Sequence, residues 1–463
     1  MDSAEEGLLE VSHRNKKDAF FMEMKRLAYI AAPMIAVNSS TYVLLVISIM
    51  MVGHLGELYL SSTAIAISFC NVTGFSVIFG LASALETLCG QAHGAKQFEK
   101  LGVHTYTGIF SLYLVCIPLS VIWSYMDDIL TFTGQDPLLA QEAGKFATRL
   151  IPALFGYATL QSLVRFYQAQ SLILPMIMSS ISALCVNVVL CWTLVFKFGL
   201  GSLGAAIAVG FLTGLILEWW SFEFLLLLSG ILPNPKLEAS VLSVWYVLLA
   251  FYRFRSDHIQ LSFFLLCFNS LSSVAIVYQI AESIGAAAST RVANELGAGD
   301  PKQARIVVYT VMVITCVESI TVSAMVFGAR NVFGYLFSSE TEVVDYVRSL
   351  APLVALSVIF DALHVVLAGV ARGSGKQDIG AYVNLAAYYL FGTPTAIILA
   401  FGFKMRGRGL WIGITVGSFV QSFLLSLIVI LTNWDQESKK ARERLMCEGF
   451  EDEESEEHEE MRS

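Results

Sequence analysis

Runs of about 20 or more apolar residues recur along this chain. They fall near 28–53, 60–85, 103–126, 147–167, 171–196, 203–232, 259–290, 306–329, 347–370, 379–403 and 409–432, with a shorter run at 240–252. A helix needs roughly 20 apolar residues to cross the hydrocarbon core of a bilayer. Lipid offers the backbone no hydrogen-bond partner, so each continuous run reads as a helix, and the alternating pattern of a membrane β-barrel is missing from them. Only 14% of the residues are charged, against about 25% in soluble globular chains. The expectation is an all-α, polytopic membrane protein of ten to twelve spans. A soluble enzyme, a disordered chain and a nucleic-acid partner are excluded.

The net charge of −9 belongs to one end. Residues 448–460 carry nine acids, and without them the remaining acids equal the 29 basic residues. We read this stretch as a solvated acidic tail. The eight cysteines are scattered through apolar runs with no CxxC and no His/Cys cluster, so neither a disulfide framework nor a metal site is expected. The first ten residues are polar and acidic, unlike a cleaved signal peptide. Walker A, HExxH and GxSxG patterns do not occur, and no catalytic residue is assigned. ARGSGKQ (371–377) reads as a turn.

Basic residues alternate between connections. Lys16, Lys17, Lys25 and Arg26 precede the first run, Lys96 and Lys100 follow the second, and Arg165 ends the fourth. Arg291, Lys302 and Arg305 follow the 259–290 run, Arg372 and Lys376 the 347–370 run, and Lys439 to Arg444 the last. GHLGELYL and MDDILTFTGQDPLLAQEAG contain neither Lys nor Arg. By the positive-inside rule both termini are cytoplasmic; one loop, with Lys404, Arg406 and Arg408, falls on the opposite side. Pro33, Pro118, Pro175, Pro352 and Pro394 stand inside runs and are read as internal helix prolines.

The chain repeats itself. At an offset of 203, ALETLCGQAHGAKQFEK (84–100) lies over AASTRVANELGAGDPKQ (287–303), pairing Thr87 with Thr290, Gly94 with Gly297 and Ala95 with Ala298. At about that offset QAQS (168–171) lies over ARGS (371–374), and at 205 GAAIA (204–208) lies over GLWIG (409–413). Both copies carry the same loop charge, so the halves are parallel repeats related by an axis along the membrane normal, an arrangement that encloses a central site in transporters.

Ionisable residues inside spans are expensive and are functional candidates. Glu218 and Glu223 lie in LILEWWSFEFLLLL, Asp361 in LSVIFDALHVVLAGVARGSG and Glu318 in MVITCVESITVSAMVF; Glu282 lies nearer a Gly-Ala turn. Glu218 and Glu223 are five apart and do not share a narrow helix face, whereas Asp361 and His364 are three apart and do. A carboxylate in such a place binds either a proton or an organic cation, with Trp219 and Trp220 offering π faces beside it. Competition of the two for one carboxylate is antiport in its simplest form.

ISIMMVGHLGELYLSS, ETLCGQAHGAKQ, LEWWSFE, AASTRVANELGAG and GVARGSGKQDIGAYVNLAAYYLFGTP resemble the multidrug and toxic compound extrusion (MATE) family, in the form of its plant DETOXIFICATION members. The resemblance covers roughly 20–244 and 271–440. It implies twelve helices in two homologous six-helix lobes related by a pseudo-two-fold axis, with cytoplasmic termini. The lobes would be 28–217 and 218–432, between a cytoplasmic tail at 1–27 and an acidic tail at 433–463. It further implies a monomer in the plasma or vacuolar membrane that contacts lipid and exports organic cations, xenobiotics or secondary metabolites. Export would be driven by a proton or sodium gradient, without a cofactor. By resemblance Glu218, Glu223 and Asp361 are the coupling carboxylates, and Trp219, Trp220, Tyr278 and His364 line the cavity.

The resemblance is interrupted twice. Only FLTGLI joins GAAIAVG to LEWWSFE, where the family has the rest of helix six, a loop and half of helix seven. Residues 203–232 then read as one rod of about 45 Å at 1.5 Å per residue, giving eleven to twelve spans. WYVLLAFYRFRSDHIQLSFFLLCFNS (245–270) has no family counterpart and carries Arg253, Arg255, Asp257 and His258. Two other functions fit the same apolar pattern: a non-transporting protein of this fold, and a lipid flippase on a related two-lobe scaffold. The flippase would require a cationic cavity, and the charge within the spans is acidic.

Overall fold

The computed structural model describes residues 2–172, 174–209, 273–333, 341–405 and 407–446. Among them the regular structure is entirely helical. The first half holds α1 (Asp2–Gly53), α2 (Glu57–Cys70), α3 (Ser76–Ala82), α4 (Ala84–Gly94), α5 (Phe98–Ser124), α6 (Met126–Phe132), α7 (Pro137–Ala169) and α8 (Leu174–Trp192). The second half holds α9 (Ser273–Ala298), α10 (Pro301–Gly328), α11 (Thr341–Gly373), α12 (Gln377–Ala386), α13 (Thr393–Ile397) and α14 (Gly407–Leu431). Helical residues 201–209 follow α8, and 434–446 follow α14.

Seven of the predicted runs lie on helices long and apolar enough to cross a membrane: Ser61–Gly94, Phe98–Ser124, Met176–Lys197, Pro301–Gly328, Arg348–Gly373, Gln377–Gly402 and Trp411–Leu431. The runs at 28–53 and 147–167 lie on α1 and α7, and 273–290 of the next lies on α9. Residues 210–232, 240–252 and 245–270 lie outside the described residues. On α5, Tyr106, Phe110, Leu114, Ile117 and Val121 are exposed at helical spacing, while Leu112, Cys116, Leu119 and Trp123 are buried on the other side. A helix apolar all round packs one face on protein and offers the other to lipid.

The helix of α1 runs from Asp2 through the first span, and Glu23 on it is fully buried against α9 and α10, where Arg291 and Gln303 bind it. Pro175 stands in the first turn of α8 rather than inside it, where its missing N–H costs no helical bond. Pro394 lies inside the continuous helix Gln377–Gly402, between the π turns Ala387–Gly392 and Ile398–Gly402, as read. Pro33, Pro118 and Pro352 are internal, as read. ARGSGKQ is a turn, with Gly375 at φ 79°.

The apolar core has two principal parts. One, from Ile47 to Ala208, belongs wholly to the first half. The other joins Leu27, Leu85, Cys89 and Phe166 to Ile284, Leu296, Val366 and Trp434, and so spans both halves. This shared part lies where the repeated Gly-Ala segments meet. A Cβ on Gly94 would overlap the backbone of Asn294, and a Cβ on Gly297 would overlap the backbone of Gln91. Gln91 and Asn294 are themselves 203 apart, so the contact is reciprocal, as a two-fold axis between α4 and α9 requires. The same reciprocity holds one turn deeper, where Thr87 Oγ1 donates to the Arg372 carbonyl and Gln168 Nε2 donates to Thr290 Oγ1 at 3.0 Å. The matched segments QAQS and ARGS thus each bond the opposite half's copy of the Thr87/Thr290 pair.

Candidate functional site

Asp361 lies two-thirds of the way along α11, and its side chain is 35% exposed. Ser418 Oγ on α14 donates to Asp361 Oδ1 at 2.6 Å, and Tyr388 OH lies 3.0 Å from the same Ser418 oxygen. With its one proton committed to the carboxylate, the serine accepts from the tyrosine, giving a chain Tyr388 to Ser418 to Asp361. Tyr388 stands on the π turn Ala387–Gly392, a local widening common at functional sites. His364 Nε2 is 3.6 Å from Asp361 Oδ1, beyond hydrogen-bond length but close enough to pair when protonated. Ser422 Oγ binds the Phe360 carbonyl at 2.9 Å and ties α14 to α11 beside the carboxylate.

Tyr278 on α9 is half-exposed and lies within Coulombic range of Glu282, Arg372, Tyr388 and Asp361. The structure therefore brings Asp361, His364 and Tyr278, three of the residues read from sequence, to one region of the second half. Glu218, Glu223, Trp219 and Trp220 lie outside the described residues. Both carboxylate oxygens of Glu318 on α10 are buried without a hydrogen-bond partner.

A second charged group was not read from sequence. Arg165 and Arg372, taken above as cations of the connections, are drawn into the protein. Arg165 Nη1 is 2.7 Å from Glu86 Oε1, Arg372 Nε is 3.1 Å from Glu86 Oε2, and Arg372 Nη2 is 3.6 Å from Glu282 Oε1. The Glu86 side chain is 1% exposed. Arginines at the ends of apolar runs read as interfacial anchors; burial here follows because Glu86 supplies the counter-charge. Ser418 also escaped the sequence reading. Its signal is a stripe of buried polar residues, Thr415, Ser418, Gln421 and Ser422, at three- and four-residue spacing on an otherwise apolar span.

A family model described as MatE matches residues 33–193 and 267–398. The chain belongs to the MatE family. The two matched stretches end 205 residues apart, the offset of the sequence repeat. Protein DETOXIFICATION 14 of Arabidopsis thaliana is 68% identical over 99% of both chains, and DETOXIFICATION 12 of the same plant is 46% identical over 92% of this chain and 93% of its own. The crystal structure of the eukaryotic MATE transporter AtDTX14 superposes with a TM-score of 0.77 at 67% identity, covering 92% of this chain and 99% of that one. The MATE transporter ClbM in complex with Rb+ shares the fold alone, at TM-score 0.70 and 18% identity over 90% of this chain and 97% of its own.

MATE proteins are integral membrane transporters, not enzymes, and their function is efflux by antiport. The two-lobe arrangement of twelve spans is the MATE fold. The alignment to DETOXIFICATION 14 runs over 507 positions, 44 more than the 463 residues here, so at least 44 aligned positions are gaps in this chain. The family model is silent from 194 to 266, the stretch that holds both interruptions read from sequence.

Proposed function

We propose that this MATE protein exchanges protons for organic cations at Asp361. The observation that carries the reading is the setting of that carboxylate, fixed by Ser418 through one oxygen and partly exposed through the rest. An ionised carboxylate attracts a cation, and a proton taken up by it abolishes that attraction. Tyr278 offers an aromatic face nearby, and Glu218, Glu223, Trp219, Trp220 and His364 complete the site in this reading. The driving force is the transmembrane proton gradient, the working unit is the monomer with lobes meeting at 217/218, and the protein acts in the plasma or vacuolar membrane.

The test is efflux of a fluorescent organic cation from vesicles holding the full chain under an imposed pH gradient. Transport should follow the proton gradient and vanish in Asp361→Asn with membrane insertion intact. Dependence on a sodium gradient alone, or wild-type rates in the variant, would overturn the assignment.

A further inference from the structure

The charges that join the two halves have an arrangement that a static clamp does not need. Four lie together: the buried Glu86 on α4 and Arg165 on α7 in the first half, and the partly buried Glu282 on α9 and Arg372 on α11 in the second. Two are positive and two negative. Of the three close contacts, only Glu86–Arg372 crosses between the halves. The other two, Glu86–Arg165 and Arg372–Glu282, are each internal to one half.

Parting of the halves at this cluster therefore cuts one ion pair and leaves a neutral pair on each side; the other crossing pair, Glu23–Arg291, likewise leaves Arg291 with Glu295 in the second half and Glu23 with Arg26 in the first. A bridge of two residues would leave one bare charge on each face, and removing a partner from a buried pair is strongly destabilising. The second-half pair also has reach in reserve. Arg372 Nη2 is buried and makes no hydrogen bond in this structure, at 3.6 Å from Glu282 Oε1. Loss of Glu86 frees the guanidinium to close that distance. The first-half pair is already tight at 2.7 Å, and Arg165 is further held by Gln168 Oε1 at 3.1 Å and by the ring of Phe79.

We propose that Glu86–Arg372 is the cytoplasmic gate contact of this carrier, and that Arg165 and Glu282 are positioning residues that receive the two charges when the gate opens. The gate lies on the side that carries the basic connections, which is the cytoplasmic side. The inference rests on the carrier reading for its motion and not on the identity of the coupling ion.

Ser289 on α9 is fully buried beside Thr290, which Gln168 of the first half bonds across the seam at 3.0 Å. With the native cysteines replaced, Ser289→Cys in the full chain reports opening as the rate of maleimide labelling from the cytoplasmic face of membranes. The gate assigns opposite signs to the four charges. Glu86→Gln and Arg372→Gln remove the contact that crosses and should raise labelling about tenfold, the response to roughly 1.4 kcal/mol. Arg165→Gln and Glu282→Gln leave the crossing pair in place but take away the partner needed after opening, and should lower labelling by a similar factor. Arg165→Lys, which keeps the charge, should label like the parent. The two neutralising variants of each sign back each other up where one fails to fold. Four shifts in the same direction would mark a static clamp and overturn the gate while the carrier reading stands. No labelling in any variant, with an added transport gradient as well, would mean that this end does not part, and would overturn both.

Discussion

At the scale of residues, Asp361 separates from the other acids by its company. Glu86 and Glu282 are engaged by arginines and Glu318 is sealed in the protein, whereas Asp361 is held by a hydroxyl and remains accessible. Ser418→Ala should weaken cation binding by about ten-fold or more, because a hydrogen bond to a charged group is worth about 1.5–3 kcal/mol; a titration of purified protein with a fluorescent cation checks it. Tyr388→Phe should have a smaller effect in the same direction, since it acts on the carboxylate through the serine. Sequence reasoning found Asp361 and His364 because an acid within an apolar run is costly and a three-residue spacing puts both on one face. It could not find Ser418, which lies 57 residues away and carries no charge.

At the scale of elements, the extension of α1 beyond the bilayer is a structural strut. Arg291 binds both oxygens of Glu23, at 2.7 and 3.1 Å, and Gln303 adds a third bond at 3.0 Å. Glu23 is fully buried and lies 268 residues from its partner. Glu23→Ala leaves the largely buried Arg291 guanidinium with Glu295 as its remaining counter-ion, a loss of about 1–3 kcal/mol, to be read as a lower melting temperature of the detergent-solubilised protein. The helical residues 434–446 brace the same end, through Glu437 to Lys376 Nζ at 3.6 Å, Asp435 to Arg305 at 2.7 Å and the Leu445 carbonyl to Lys100. The spans themselves were legible because lipid forces continuous apolar runs, and the repeat because both copies keep the small residues at the axis. The strut was not legible. Polar residues ahead of a span look like a solvated tail until the arginine that neutralises them is known.

At the scale of the whole molecule, two repeated halves close on each other at the cytoplasmic end through small residues, a shared apolar core and the crossing ion pairs Glu86–Arg372 and Glu23–Arg291. Glu23 and residues 434–446 both pack at that end, so cysteine-accessibility mapping should find the two ends of the chain on the cytoplasmic side. The 44 or more alignment positions that face gaps in this chain bear on performance. Rocking of one lobe against the other uses the link between them, and a version with the absent block restored and 245–270 removed should confer the greater drug resistance on a pump-deficient bacterium at matched membrane levels. Equal resistance would show that the link tolerates the change. The central claim is narrower, and binding alone tests it: a proton and an organic cation compete for Asp361. Purified full chain in weakly buffered detergent solution should release protons when an organic cation is added, and its affinity should fall steadily as the pH is lowered. Asp361→Asn should lose the proton release together with the pH dependence. Binding by the parent chain that releases no protons and ignores pH would contradict the account.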